Sequence, residues 1–180
     1  MKADTLTIKA RGWFDMADAD KNGVITVEDF TLMADRIVRE FPHADPKKIA
    51  AVKEAFADDW RRLAERADAN ADGQITREEF EAAVKAATPD DYGKATKRQV
   101  AEFEIADVDG DGVLSHHELA RLLKAEGLDE NSAFSVAAIL DTDGDGVISR
   151  EEWEAASRKY FTGDDPFAGL LQRAVSGAGA

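Results

Sequence analysis

Four twelve-residue stretches of this chain set oxygen-bearing side chains at fixed offsets around a glycine, starting at Asp18, Asp68, Asp107 and Asp141. They read D-A-D-K-N-G-V-I-T-V-E-D over 18–29, D-A-N-A-D-G-Q-I-T-R-E-E over 68–79, D-V-D-G-D-G-V-L-S-H-H-E over 107–118 and D-T-D-G-D-G-V-I-S-R-E-E over 141–152. Carboxylates, amides and hydroxyls together make an all-oxygen donor set, the kind that holds a hard divalent cation. One Asp-rich loop has a simpler explanation, because Asp, Asn and Gly favour turns for local reasons. Four in register, each between amphipathic segments, do not.

The spacing follows from wrapping twelve residues round one ion. Positions one, three and five present side-chain oxygens, seven a backbone carbonyl, nine a group that often acts through water, and twelve a carboxylate that closes the cage. The predicted ligands are Asp18, Asp20, Asn22, Val24, Thr26 and Asp29 in the first loop, and Asp68, Asn70, Asp72, Gln74, Thr76 and Glu79 in the second. In the third they are Asp107, Asp109, Asp111, Val113, Ser115 and Glu118, and in the fourth Asp141, Asp143, Asp145, Val147, Ser149 and Glu152. Gly23, Gly73, Gly112 and Gly146 stand where the turn is too sharp for a Cβ. The third and fourth loops satisfy the pattern D-x-[DN]-x-[DN]-G-x5-E in full, and at these residues the chain resembles the EF-hand family. The cation that the resemblance implies is Ca²⁺.

The loops must be held by helices. Position eight of each loop is aliphatic (Ile25, Ile75, Leu114, Ile148), which in an EF-hand pairs with its counterpart in a neighbouring loop as a short antiparallel ladder. Phe30, Phe80, Leu119 and Trp153 follow the loops and begin the core faces of the exiting helices. The expected fold is all-α: four helix-loop-helix units in two pairs, with tiny ladders between paired loops. In the long first gap, Asp45-Pro46 gives a cap and a first-turn proline, and Ile49, Val52, Phe56, Trp60, Leu63 and Ala67 fall on one helical face. Thr88 to Gly93 breaks the periodicity, dividing the chain into an N-terminal pair over 1–88 and a C-terminal pair over 94–161. Gly127 closes the helix after the third loop. In the tail, 162–180, Asp165-Pro166 starts a short amphipathic helix over 166–174 whose Phe167, Leu170, Leu171 and Ala174 need a surface to dock on, the protein's own being favoured.

Charge belongs to these loops. The chain carries 37 acids against 23 Lys and Arg, a net charge of −14, and fourteen carboxylates occupy ligand positions: three in each of the first two loops and four in each of the others. Without metal they should repel one another and raise some carboxyl pKa values. An acidic chain with no basic stripe is a poor partner for nucleic acid or an anionic membrane. No apolar run in the 180 residues is long enough to span a bilayer, and Met1 to Trp13 lacks the core expected of a secretory signal. With no Cys, the expectation is a cytoplasmic monomer whose partners are calcium ions, with a protein target allowed but not required.

The loops are not equivalent. Asp29 closes the first, and being one methylene shorter than Glu it gives both oxygens less readily, which predicts a mixed Ca²⁺/Mg²⁺ site. Glu28 beside it is read as exposed. Asn70 lowers the charge of the second loop while keeping an oxygen. The long first gap, Asp29 and the tail from Tyr160-Phe161 to Asp165-Pro166 make the chain similar to the sarcoplasmic calcium-binding proteins and their bacterial relative calerythrin. That resemblance implies two EF-hand pairs in one globule acting chiefly as a Ca²⁺ buffer, commonly with one degenerate loop, whereas all four look intact here. The alternative is a sensor that exposes an apolar surface on Ca²⁺ binding. With three Met, nine Phe, and Trp13, Trp60 and Trp153, the composition suits a fixed core better than an adaptable groove. An enzyme finds little support: His43, His116 and His117 lack zinc-site spacing and read as surface residues.

Overall fold

The computed structural model describes residues 2–87 and 97–162, with side chains described over 10–87 and 97–156. The expected joint at Thr88 to Gly93 and the tail helix lie outside these residues. Among the described residues eight helices form, in the order α1 (Lys2–Ala17), α2 (Val27–Glu40), α3 (Pro46–Ala67), α4 (Arg77–Ala86), α5 (Lys97–Ala106), α6 (His116–Ala125), α7 (Glu130–Leu140) and α8 (Arg150–Thr162). Each acidic loop joins two of them: α1 to α2, α3 to α4, α5 to α6, and α7 to α8.

Helix ends follow local chemistry. Asp45 Oδ1 accepts from Lys47 N at 2.7 Å, and Pro46 occupies the first helical position of α3, where its missing N–H costs nothing. Asp129 caps α7 by accepting from Ser132 N at 3.1 Å. Gly127, at φ +106°, lets the chain turn out of α6, with Leu128 N donating to Leu123 O at 3.0 Å.

The loops pair as their aliphatic eighth positions require. Ile25 N donates to Ile75 O at 2.9 Å and Ile75 N to Ile25 O at 2.8 Å, an isolated antiparallel bridge. In the second pair the match lengthens to two strands, β1 (Leu114–Ser115) and β2 (Val147–Ile148), with Leu114 opposite Ile148 and Ser115 opposite Val147. All four aliphatic side chains are fully buried, so each ladder also roofs the core beneath it.

That core is one continuous cluster. Phe14, Phe30, Phe56 and Phe80 lie in it beside Phe103, Leu119, Leu122 and Trp153. Burying side chains of this size contributes about 1.5–3 kcal/mol each. Phe14 and Phe80 meet edge-on at 5.8 Å, tying α1 to α4. The pairs also pack on each other, α3 against α5 and α2 against α6. Arg98 sits at this seam: its Nε donates to Glu102 Oε1 at 2.5 Å and its Nη2 to Glu126 Oε1 at 3.3 Å, while the guanidinium lies 4.3 Å from the Phe56 ring centre. Arg121 reaches across as well, donating to Glu40 O at 2.7 Å and lying over Phe41. No helix among the described residues is long and apolar enough to cross a membrane.

Candidate metal centres

Every loop is wound round its first aspartate. In the first, Asp18 Oδ1 accepts from Asn22 N and Oδ2 from Gly23 N, both at 3.0 Å. Asp68, Asp107 and Asp141 do the same with the sixth-position amides, from Gly73 at 3.0 Å, Gly112 at 3.2 Å and Gly146 at 3.0 Å. The glycine amide points inward because its residue is left-handed, with φ between +81° and +94° across the four loops. The fifth position then accepts from the seventh: Val24 N to Asn22 Oδ1, Gln74 N to Asp72 Oδ1, Val113 N to Asp111 Oδ1 and Val147 N to Asp145 Oδ1, at 2.8–3.0 Å.

The twelfth residue locks each loop to its exiting helix. Glu152 Oε1 accepts from Thr142 N at 2.8 Å and Oε2 from Ser149 N at 2.9 Å, spanning the whole loop. Glu118 bridges Val108 N and Ser115 N in the same way, at 3.0 and 2.9 Å, and Glu79 bridges Ala69 N and Thr76 N, at 3.3 and 2.9 Å. The ninth-position hydroxyls close the arrangement as helix caps: Thr76, Ser115 and Ser149 each donate to the twelfth carboxylate and accept its backbone N–H. Sequence reasoning treated position nine only as a ligand; the S/T-x-x-E spacing carried the capping signal.

These amides set the charge state. Amide donation from Ser149, joined by Thr142, outweighs burial and holds Glu152 down at about 2. Glu79 is lowered chiefly by Thr76, and in Glu118 burial pushes upward but is outweighed by donation from Ser115 and Val108. The closing glutamates thus run opposite to the upward shift expected for some of the loop carboxyls, because hydrogen bonds to the ionised form outweigh burial. They stand ready as anions.

Three loops bring carboxylates to a common point. One oxygen each of Asp18, Asp20 and Asp29, of Asp107, Asp109 and Glu118, and of Asp141, Asp143 and Glu152 lie within 4.8 Å of one another. In the second loop the third position is the amide of Asn70, whose Nδ2 donates to Asp72 Oδ2 at 2.9 Å. The shorter Asp29 still bridges its loop, but from a different place: its Oδ1 accepts from Asp20 N at 3.1 Å, at position three, where the glutamates reach position two. Asp18, Asp29 and Asp107 are nearly inaccessible, at 4%, 1% and 4% exposure, and Glu28 is exposed as expected. All-oxygen clusters that pair inner carboxylates with one exposed to solvent, on preset amide scaffolds, fit a hard divalent cation.

A model of the EF-hand domain pair matches residues 7–85 and 98–158. The chain belongs to the EF-hand domain pair family. It is a calcium-binding EF-hand protein related to the sarcoplasmic calcium-binding proteins: it is 34% identical over 110 residues to the beta chain of one from Penaeus sp.. That match covers 57% of this chain and 57% of the relative, so less than two thirds of the relative's length is spanned. A Streptomyces coelicolor calcium-binding protein, described for prokaryotic calcium-mediated regulation, superposes with a TM-score of 0.77 at 35% identity, covering 87% of this chain and 98% of that one. Calcium-loaded apo-aequorin from Aequorea victoria shares the fold, with a TM-score of 0.70 at 17% identity over 91% and 93% of the two chains.

The tenth position of these EF-hands holds contacts the sequence reading passed over. Arg77, in the second, donates to Asp15 Oδ1 at 2.7 Å and lies 4.3 Å from the Phe14 ring centre. Arg150, in the fourth, donates to Glu104 Oε1 at 2.6 Å and lies 4.6 Å from that of Phe103. Asp15 and Glu104 each stand three residues before an odd-numbered loop and the two phenylalanines four before, so each even loop clasps the entering helix of its partner. The signal was an Arg at position ten with an acid at that offset. His116, tenth in the third EF-hand, is a correction: it is partly buried and its Nε2 lies 3.0 Å from Asp141 Oδ2, because the ladder brings the two loops side by side. His117 is exposed but packs edge-on against Phe134 at 5.1 Å.

Proposed function

We propose that this protein is a cytoplasmic Ca²⁺ buffer, a monomer with up to four EF-hand sites held by positions one, three, five, seven, nine and twelve of each loop. Its units are the pairs over 1–88 and 94–161. The observation that carries the reading is the combination of preset acidic cages with buried helix faces. The phenylalanines described at the loop exits and helix interfaces are internal, and the large apolar residues exposed among the described residues are scattered aliphatics: Val27, Val100, Val108 and Ile139. Trp153 is fixed in place, its Nε1 donating to Gln99 O at 2.9 Å. A surface of this kind offers a target helix little to grip. Asp29 makes the first site a mixed Ca²⁺/Mg²⁺ site, since a shorter closing carboxylate favours the smaller ion's lower coordination number.

A regulatory role is the second reading, favoured by the likeness to the Streptomyces coelicolor protein over 87% of this chain. Emission of a hydrophobic dye such as ANS, followed in constant millimolar Mg²⁺ while Ca²⁺ is added, separates the two, with tryptophan emission reporting that Ca²⁺ has bound. A buffer gives a flat or falling dye signal. A large rise means that apolar surface opens and replaces the buffer reading with the sensor.

A further inference from the structure

The odd-numbered loops differ at their tenth position. In the first loop the residue is Val27, 41% exposed, whose side chain has no hydrogen-bonding group. In the third it is His116, which reaches out of its own loop to Asp141, the first ligand position of the fourth. A carboxylate oxygen only accepts, so Nε2 carries the hydrogen and donates. The same Oδ2 accepts from Gly146 N at 3.0 Å, and Oδ1 accepts from Gly144 N at 2.8 Å and Asp145 N at 3.1 Å. Four donors therefore hold this carboxylate, three from its own loop and one from the neighbouring loop.

The contact is built rather than casual. The Asp141 side chain is 7% exposed and that of His116 31%, so solvent competes little for the bond. Ser115, the residue before His116, is paired with Val147 in the ladder, and His117, the residue after, packs on Phe134 of α7, the helix that enters the fourth loop. His116 is thus anchored on both sides along the chain.

We propose that His116 is a positioning residue for the fourth calcium site, donating from the third loop to the first ligand of the fourth and so coupling the two sites within the second pair. This rests on the reading of the fourth loop as a calcium site. Groups that donate to a ligating carboxylate fix its orientation, so that less side-chain freedom is lost when the ion arrives. Because His116 begins α6 two residues before Glu118, ordering of the third loop by its ion also steadies the donor that the fourth loop uses. The first pair, with Val27, has no such side-chain link from that position.

The test uses the whole chain at one fixed pH, as wild type, His116→Val and His116→Gln, with Ca²⁺ as the probe. Calorimetry gives the site affinities, and the amide resonance of Gly146, which shares Asp141 Oδ2, reports on the fourth loop directly. We expect His116→Val to weaken the fourth site about tenfold, to shift the Gly146 resonance and to reduce the cooperativity between the third and fourth sites, since coupling between two sites is reciprocal. His116→Gln, which keeps an N–H donor, should recover most of the affinity. An unchanged Val variant overturns the proposal, as does a Gln variant as weak as Val. If Ca²⁺ leaves the Gly146 resonance of the wild type unmoved, the calcium reading of the fourth loop falls and takes the proposal with it; a wild type that fills alongside an unaffected Val variant overturns the role of His116 alone.

Discussion

At the fourth position of each loop the backbone turns left-handed, and the two loop pairs meet that demand with different residues. The second pair uses Gly110 and Gly144, at φ +76° and +75°; the first holds Lys21 at 63° and Ala71 at 57°. The pairs differ again at the ladder, two residues on each side in the second and a single bridge in the first. They differ at the cage too, since both loops of the second pair gather three carboxylates while the first pair has Asp29 closing one loop and Asn70 in the other. The second pair therefore presents its loop carboxylates on an unstrained, better-tied backbone. The first keeps the same fold with side chains that strain its loops and dilute their charge.

The largest test of that contrast lies at the closing glutamates. Glu152→Gln keeps the size of the side chain but removes its charge and one acceptor, and it should weaken the fourth site by more than the roughly 10–100-fold seen when outer partners of a ligand are lost. Calorimetry should then count one ion fewer, with the metal-free fold unchanged by circular dichroism. Unaltered stoichiometry would show that the fourth loop is not a calcium cage. Asp29→Glu moves the first loop toward the second pair's design and should shift its preference toward Ca²⁺ over Mg²⁺. A Mg²⁺ competition titration that gives the same curve for both proteins would sink the mixed-site reading.

Much of this was legible because loop chemistry is local. Twelve consecutive residues specify their own turn, so Asp18, Gly23 and Ile25 announce acidic anchor, bend and ladder without knowledge of the rest of the chain. The cap at Asp45 and the buried face of α3 were equally readable, since both depend on residues within a turn or two. What escaped was long-range. Arg77 meets Asp15 across 62 residues and Arg150 meets Glu104 across 46, contacts that exist only once the ladders have set the loops side by side. His116 looked solvent-facing for the same reason, and the amides that depress Glu152 become donors only when the loop closes.

The seam between the pairs offers a pH-dependent test. Arg98 is there the cation shared by Glu102 and Glu126, with Asp59 nearby and Arg62 also acting on Asp59. Burial is the main cause that pushes Glu102 from its ordinary 4.5 up to about 8; the Arg98 charge opposes it and Glu126 reinforces it. Asp59 is likewise raised by burial. A carboxyl group that holds its proton more tightly when folded contributes stability that is complete below about 4.5 and lost as pH rises through about 8. Glu102→Gln should therefore flatten the decline of Tm between neutral and mildly alkaline pH, measured in saturating Ca²⁺ so that the loops do not titrate. An identical slope in the two proteins would show that the seam carries an ionised Glu102 throughout, and that the pairs meet through a fully charged cluster.

The smallest expected effect returns to the fourth loop position. A non-glycine residue in the left-handed region costs roughly 1–2 kcal/mol, and replacing it by Gly adds roughly 0.4–1 kcal/mol of unfolded-chain entropy. Ala71→Gly should then stabilise the protein by up to about 1 kcal/mol. Ala71 is the cleaner position, because it is exposed and its methyl is all that the change removes, whereas Lys21 also donates from Nζ to Asp15 O. Gly144→Ala is the mirror experiment in the second pair: the same strain, introduced where nothing crowds a new Cβ, should lower stability through backbone conformation alone. Denaturant melts of the two variants should move in opposite directions. If both are neutral, the left-handed turn costs the loops little, and the difference between the pairs must be sought in Asp29, Asn70 and the ladders instead.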